Sequence, residues 1–461
     1  MTGMAGDIAA RLAAWSSAVD PRALPADVSA AAIRCILDAT GVGLAAADRP
    51  VVAATRRLAD APGNCTLIGR RERVSATGAA MVNAASIHAL DFDDTCYAGT
   101  LHGTAVVWPA VLAAAESVGA TGAETLAGFV AGVETAYALG NDLGNSIYDR
   151  GWWTTPLLGA IGAAAGAARA LRLAPLPTRH AIALAAAQAF GSRSVMGSTA
   201  KPYLCGVAAA NGLGAALAAQ AGIEGPADAF ASVFGLARLT GGGDPDWRAV
   251  ATLGQRYALV QPGIAFKRYP VCSSSQAAAE AVALLRDEHH IAAAAVASVH
   301  CAVTPMVAQC LPFLIPATGT EAQFSLPFAV GSMLAFGELT PGQLGSATLA
   351  DPGLRLAMDK VSMTVDPALA ASEADRRDRP EASIVTIAMA DGRTLVRRVD
   401  AATGMPTNPM PDAMLDEKFR QGAQTVLAPR QADALLDRVR GLRHLASIHD
   451  LVASLSEEPH A

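Results

Sequence analysis

Through the first 266 residues the apolar positions run in long blocks of Ala, Leu, Val and Gly, with few polar interruptions and no strict alternation. VSAAAIRCILDATGVGLAAA (28–47), GTAVVWPAVLAAAESVG (103–119), TLAGFVAGVETAYALGNDL (125–143) and RHAIALAAAQAF (179–190) are too long for strands and rich in helix formers. Gly and Pro separate them, so this stretch is predicted to be nearly all helix. No fixed-period repeat occurs, which argues against a solenoid. From 267 the texture changes. Segments 296–307 and 360–369 read as strands, and 382–399 reads as strand, Asp-Gly turn, strand. SSQAAAEAVALLRDEHH supplies a helix between them. After TGMPTNPMPD the chain turns helical again in AMLDEKFRQGAQTVL and RQADALLDRVRGLRHL. The pattern predicts a mostly α protein. A large all-helical domain would be built from both chain ends (1–266 and 404–461), and a smaller α+β lid domain (267–403) would leave a cleft between the two.

Composition sharpens this picture. The chain has 461 residues, enough for two domains, with 52% hydrophobic and only 16% charged residues. So little charge implies much surface buried between helices or between subunits, and a homo-oligomer is expected. The net charge is −6 with no basic run, which makes nucleic acid an improbable partner; a small anionic substrate would need local cations. Seven scattered cysteines without a CxxC pair fit reduced thiols in a cytoplasmic protein, and no metal site is expected. The N-terminus lacks a basic head followed by an apolar block, and the longest apolar stretches are Ala/Gly-rich with internal Arg169 and Arg172. Neither a signal peptide nor a membrane span is expected.

Four clusters carry candidate chemistry. In SIHALDFDDTCYAGTLHGTAVVWPA (86–110), His88, Asp91, Asp93, Asp94, Thr95 and His102 crowd into an apolar region. Buried ionised groups must be paired, so the crowding suggests a polar pocket in which an imidazole exchanges protons. The structural alternative is capping by Asp94 and Thr95, with His88 a satisfied core residue. DFDD also fits an alkene-protonating D-x-D-D pattern, but 5% aromatics are too few to line a carbocation cavity. In GSRSVMGSTAKPYLCG, Lys201 and, more weakly, Arg193 stand beside a Gly-rich helix start suited to a carboxylate; a lysine at a loop end is the plain alternative. In FKRYPVCSSSQAAAEAV, Lys267, Arg268, Tyr269 and Gln276 place cations and donors at the expected hinge, and Cys272 reads as a buried thiol. In DRGWWTTPLLGAIG, Trp153 is either a pocket wall or a core anchor.

Taken in this order, HALDFDDT, LHGTAVVWPAVLAAAE, AKPYLCGVAAANGLG, KRYPVCSSSQAAAEA and GMPTNPMPDAMLDEKF resemble the MmgE/PrpD family over nearly the whole chain. The resemblance implies a helical domain with an α+β lid, a homodimer, and no metal or organic cofactor. It implies His102 as an acid–base group held by Asp91, Lys201 and Lys267 on substrate carboxylates, and Thr95 in the pocket. It also implies a lyase acting on a small di- or tricarboxylate, with dehydration of a 2-methylcitrate-like hydroxy acid favoured. An epimerase, an isomerase, a decarboxylase of a related acid, and a non-catalytic carboxylate binder are the alternatives. Decarboxylase-type members carry histidines where this chain has Trp153 and Cys272, and a tyrosine where it has Phe328, whereas SSSQ is closer to the methylcitrate dehydratases.

Overall fold

The computed structural model describes residues 7–59, 61–144, 146–188, 190–241 and 243–456. The outer ends of the expected helical domain (1–6 and 457–461), and residue 189 in the helix expected over 179–190, lie outside the described residues. The fold is mostly α. Its first part is built from α1 (Ile8–Ser17), α2 (Ala26–Ala46), α3 (Ala76–His88), α4 (Gly103–Ser117), α5 (Gly122–Leu143), α6 (Thr154–Ala170), α7 (Pro175–Ala187) and α8 (Ala200–Gln220). The long apolar blocks thus fold as the helices the pattern predicts.

α6 is the axis of this part. All of its residues are buried, as expected of a helix apolar on every side, and α4, α5, α7 and α8 pack around it. The α5–α6 crossing is held at backbone distance by glycines. A Cβ on Gly162 would lie 2.6 Å from the Gly132 carbonyl oxygen, and one on Gly132 would lie 2.7 Å from that of Gly162. A Cβ on Gly166 would come 2.8 Å from the Gly128 oxygen. Each glycine costs about 1 kcal/mol of helix propensity, which close packing of the two backbones offsets. By length and composition α2 and α8 are apolar enough to cross a membrane; in this fold 72% and 56% of the relevant windows are buried among other helices.

The second texture folds as a four-stranded sheet with helices on it. Short β1 (Thr95–Cys96) and β2 (Ile264–Ala265) pair antiparallel nearer the first part. The sheet proper comprises β3 (Val296–Val303), β4 (Val361–Val365), β5 (Ser383–Met389) and β6 (Thr394–Val399), in the order β4-β3-β5-β6. β3 and β4 run parallel, while β5 is antiparallel to both β3 and β6. β5 alternates buried and half-buried residues, as a strand with one covered face must. The helix α9 (Ser273–His289) packs against β5 and β6 and against α10 (Leu326–Phe336), on which α11 (Pro352–Asp359) lies. The strand expected over 296–307 ends at Val303. Pro305 offers no N–H to a ladder but suits the first turn of a helix, and the Thr304 hydroxyl caps that turn by accepting from the Val307 amide at 3.3 Å.

The last segment returns as α12 (Asp412–Ala423) and α13 (Pro429–Arg440), both packed on α2. A buried ion pair, Lys418 Nζ to Asp38 at 2.6 Å, joins α12 to α2. The same ammonium donates to the Phe92 carbonyl at 2.8 Å and lies 3.8 Å over the Phe92 ring.

Candidate active site

The loop after α3 is held from several sides. Asp91 sits at φ 48°, a left-handed conformation that costs energy in any residue with a side chain. Lys267 Nζ donates to the Asp91 carbonyl at 2.6 Å and to its carboxylate at 3.0 Å. The β1–β2 pairing brings Lys267 there, two residues beyond β2. Lys418 holds the next carbonyl, and Gln323 donates to that of Ala89 at 3.0 Å. Four helix N-termini then converge. His102 is the N-cap of α4, Trp153 of α6 and Cys272 of α9, and Lys201 is the second residue of α8. Gly103 is required where α4 begins, because a Cβ there would meet the Tyr137 hydroxyl at 2.7 Å.

The charges pair in a defined way. Asp91 accepts from Lys201 at 2.5 Å and from Lys267. Burial opposes its ionisation, but the two ammonium groups outweigh burial and hold the carboxyl well below its usual range. The same balance keeps Asp93 ionised: burial is opposed by His88 Nδ1 at 2.9 Å and His102 Nδ1 at 3.2 Å. His88 has no freedom of tautomer. Its Nδ1 faces a carboxylate and its Nε2 faces the Lys201 ammonium at 2.6 Å, so Nδ1 donates and Nε2 accepts. Burial lowers the His88 pKa to about 4, in keeping with a neutral ring. His102 Nδ1 likewise faces only acceptors, the Asp93 carboxylate and the Asp94 carbonyl at 2.8 Å, apart from the Thr95 hydroxyl at 3.3 Å. Nδ1 therefore carries a proton, so that in the neutral ring Nε2 is the acceptor. His88, Asp91 and His102 also present ligand atoms within 4.8 Å of one another, but the Lys201 ammonium already bridges His88 and Asp91.

These groups border a cavity of about 200 Å³, sized for a small metabolite. Asp91, Thr95, His102, Trp153, Lys201 and Cys272 lie on its wall, as expected from the sequence. Trp153 is both wall and anchor: it is buried, stacks on His88 at 5.7 Å and lies 5.4 Å from the Lys201 ammonium. Burial pushes the Cys272 thiol up to about 12, so it is no thiolate nucleophile. A wider groove of about 1150 Å³ adjoins the cavity and shares Thr100 and Met306 with it.

Other expectations are corrected. The carboxylate bonded to His102 is Asp93, two residues on from the predicted Asp91, which both lysines claim instead. Asp94 turns into the core, where its carboxylate accepts from Thr104 at 2.6 Å, and burial raises it to about 8. His88 and Lys267 stand behind the wall as supports of Lys201 and Asp91. Arg268 is exposed over the Tyr269 ring, and neither residue borders the cavity. Gln276 clamps the hinge backbone: its Oε1 accepts from the amides of Arg268 and Tyr269, and its Nε2 donates to the carbonyls of Tyr269 and Val271. Phe328 is fully buried in α10, away from the cavity. Arg193, a secondary candidate, does line the cavity and covers the Tyr148 ring at 3.8 Å.

The sequence reading missed Glu381. It is buried on the cavity wall and accepts from Tyr97 Oη at 2.6 Å, Ser273 Oγ at 2.7 Å and Ser274 Oγ at 2.9 Å. Burial raises its pKa, against the pull of those hydroxyls. No periodicity singled it out, because Glu381 stands in a turn just before β5, next to the equally buried Ala382.

Comparison with known proteins matches residues 10–248 to the MmgE/PrpD N-terminal domain and residues 269–443 to the MmgE/PrpD C-terminal domain. The chain is 26% identical to the cis-aconitate decarboxylase-like protein oryM of Aspergillus oryzae, over 98% of each chain. It is 26% identical to human cis-aconitate decarboxylase, over 81% of this chain and 78% of the relative. It is also 26% identical to that of Aspergillus terreus, over 96% and 94%.

Proposed function

The chain belongs to the MmgE/PrpD family of lyase-type enzymes, and from that premise we propose that it removes a proton beside a carboxylate of a small hydroxy acid and expels water. The observation that carries this reading is His102 Nε2, to which no described residue is hydrogen-bonded, on a ring fixed by Asp93 and the Asp94 carbonyl beside a cavity that Lys201 also lines. A carboxylate drawn to Lys201 and to the converging helix N-termini becomes more acid at its α-carbon, because the developing enolate-like charge meets donors already in place. His102 Nε2 takes the α-proton. The electron pair forms the double bond as the C–O bond breaks, and the protonated imidazole hands its proton to the departing hydroxide. Lys267 and His88 act through Asp91 and Lys201, holding them in place. In this reading residues 267–403 are a lid that closes the cavity from the Glu381 side. The protein would work as a cytoplasmic homodimer.

A second reading is decarboxylation, and one observation favours it. Trp153, Phe324, Met196, Met306 and Cys272 make much of the wall apolar, and an apolar wall promotes loss of a charged carboxylate as carbon dioxide. His102 Nε2, having first taken a proton from solvent, would then protonate the carbanion. The test is to incubate the purified protein with 2-methylcitrate, citrate, cis-aconitate and iminodisuccinate in heavy water, reading products by NMR and mass spectrometry. Loss of water supports the first reading and loss of carbon dioxide the second. Deuterium uptake without mass loss would mean epimerisation, contrary to both. His102→Gln is expected to lower turnover on whichever acid reacts by at least about 100-fold; near-normal turnover would remove His102 from the mechanism.

A further inference from the structure

The N-terminus of α9 is an anion site already occupied by the protein itself. Ser273 and Ser274, the first two residues of that helix, both donate to one oxygen of Glu381, and Tyr97 donates to the other. The three bonds span 2.6–2.9 Å, the carboxylate is buried, and it forms part of the cavity wall. Three donors at a helix start are what a substrate carboxylate would need. Here that position is filled from the lid, so the cavity is charged unevenly. On the α8 side stands Lys201, with Arg193 nearby on the wall; on the α9 side stands an acid. Asp91 adds no free charge, because two ammonium groups neutralise it.

From this placement we propose that Glu381 determines specificity: it excludes a second or third substrate carboxylate from the α9 end and selects a hydroxyl, amide or ammonium group there. The substrate class is then a small acid that presents one carboxylate to Lys201 and an uncharged or cationic hydrogen-bond donor to Glu381. A carboxylate oxygen has room for about two hydrogen bonds, and among the described residues Glu381 Oε2 accepts from Tyr97 alone, so one acceptor direction remains for such a donor. A tricarboxylate such as 2-methylcitrate would force two carboxylates together in a closed space, a like-charge contact that disfavours binding. This inference rests on the reading of the cavity as a carboxylate site and narrows what it accepts.

The experiment measures binding of unreactive probes, by calorimetry and by thermal shift, to the wild-type chain and to Glu381→Gln. The probes are paired by charge: aspartate against succinate, and 3-hydroxybutyrate against glutarate. The wild type is expected to prefer the member with one fewer net negative charge in each pair. Glu381→Gln keeps the shape and removes the charge, and is expected to shift each preference toward the more negative member of the pair by at least about tenfold. Glu381→Ser, which vacates the position, carries the same test if the glutamine variant fails to fold by circular dichroism. Probe binding with ratios unmoved by both variants overturns the role of Glu381 and leaves the catalytic reading standing. Failure of every probe to bind either protein overturns the carboxylate site itself, and this inference with it.

Discussion

Replacing Lys418 by methionine removes one half of an ion pair from which water is excluded. Lys418 and Asp38 lie 2.6 Å apart with side chains 8% and 0% exposed. Burial pushes the Asp38 carboxyl up and the Lys418 ammonium down, each drawn part of the way back by the other. Desolvation therefore exceeds attraction, the situation in which a lone survivor is costly but an apolar pair is not. Lys418→Met is expected to cost about 3–5 kcal/mol, since it strands the Asp38 charge and the Phe92 carbonyl together. For a cooperative unit of 461 residues the unfolding entropy is about 1 kcal/mol per kelvin, so the melting temperature should fall by about 3–5 °C. The double variant Asp38→Leu/Lys418→Met should recover about half of this loss, leaving about 1–3 kcal/mol for the unpaired carbonyl. Urea unfolding of the two single variants and the double gives the coupling directly. A single variant within 1 kcal/mol of wild type, or additive losses in the double, would refute the reasoning.

Asp94→Asn tests the buried acid that faces the core. Asp94 has its pKa raised to about 8 in the fold, against an ordinary value near 4. Its stabilising contribution is therefore complete below about pH 4 and is lost as pH rises toward and through 8. Relative to Asp94→Asn, the wild type should lose about 1.4 kcal/mol per pH unit between pH 5 and 8, measured by urea unfolding; a pH-independent difference would count against the assignment. Gly162→Ala should destabilise by about 1–3 kcal/mol, because the new Cβ meets the Gly132 oxygen at 2.6 Å. Gly214→Ala in α8, where a Cβ meets nothing within 4 Å, should instead gain up to about 1 kcal/mol, and equal effects at the two sites would undo the contrast.

The fold was legible where periodicity and length decided the matter. The long Ala-rich blocks could only be helices, and Asp391–Gly392 with alternation on either side could only be a hairpin. The site was legible as a set of residues and less so as a set of contacts. Asp91, His102 and Lys201 belong together, but their partners depend on a single left-handed residue: with Asp91 at φ 48°, its carboxylate faces the lysines and that of Asp93 faces the imidazoles. No local pattern announces such a reversal. Gln276 and Arg268 looked like pocket groups because they sit beside Lys267 in sequence, yet Gln276 is spent on backbone amides and Arg268 points outward. Glu381 stayed hidden because its three donors lie more than a hundred residues away in sequence, and only the fold brings them to it.

The glycine contact between α5 and α6 bears on how this molecule can change over generations. In a glycine codon the third base is silent, and every change at the first two writes in a residue with a side chain or a stop. At Gly132, Gly162 and Gly166 any such side chain begins 2.6–2.8 Å from a backbone oxygen of the facing helix. These positions are closed to single-base drift, whereas the half-buried Cys272 lies on the cavity wall and can be exchanged without moving the helices behind it. A lineage built on this scaffold is free to rewrite its chemistry while its axis stays fixed.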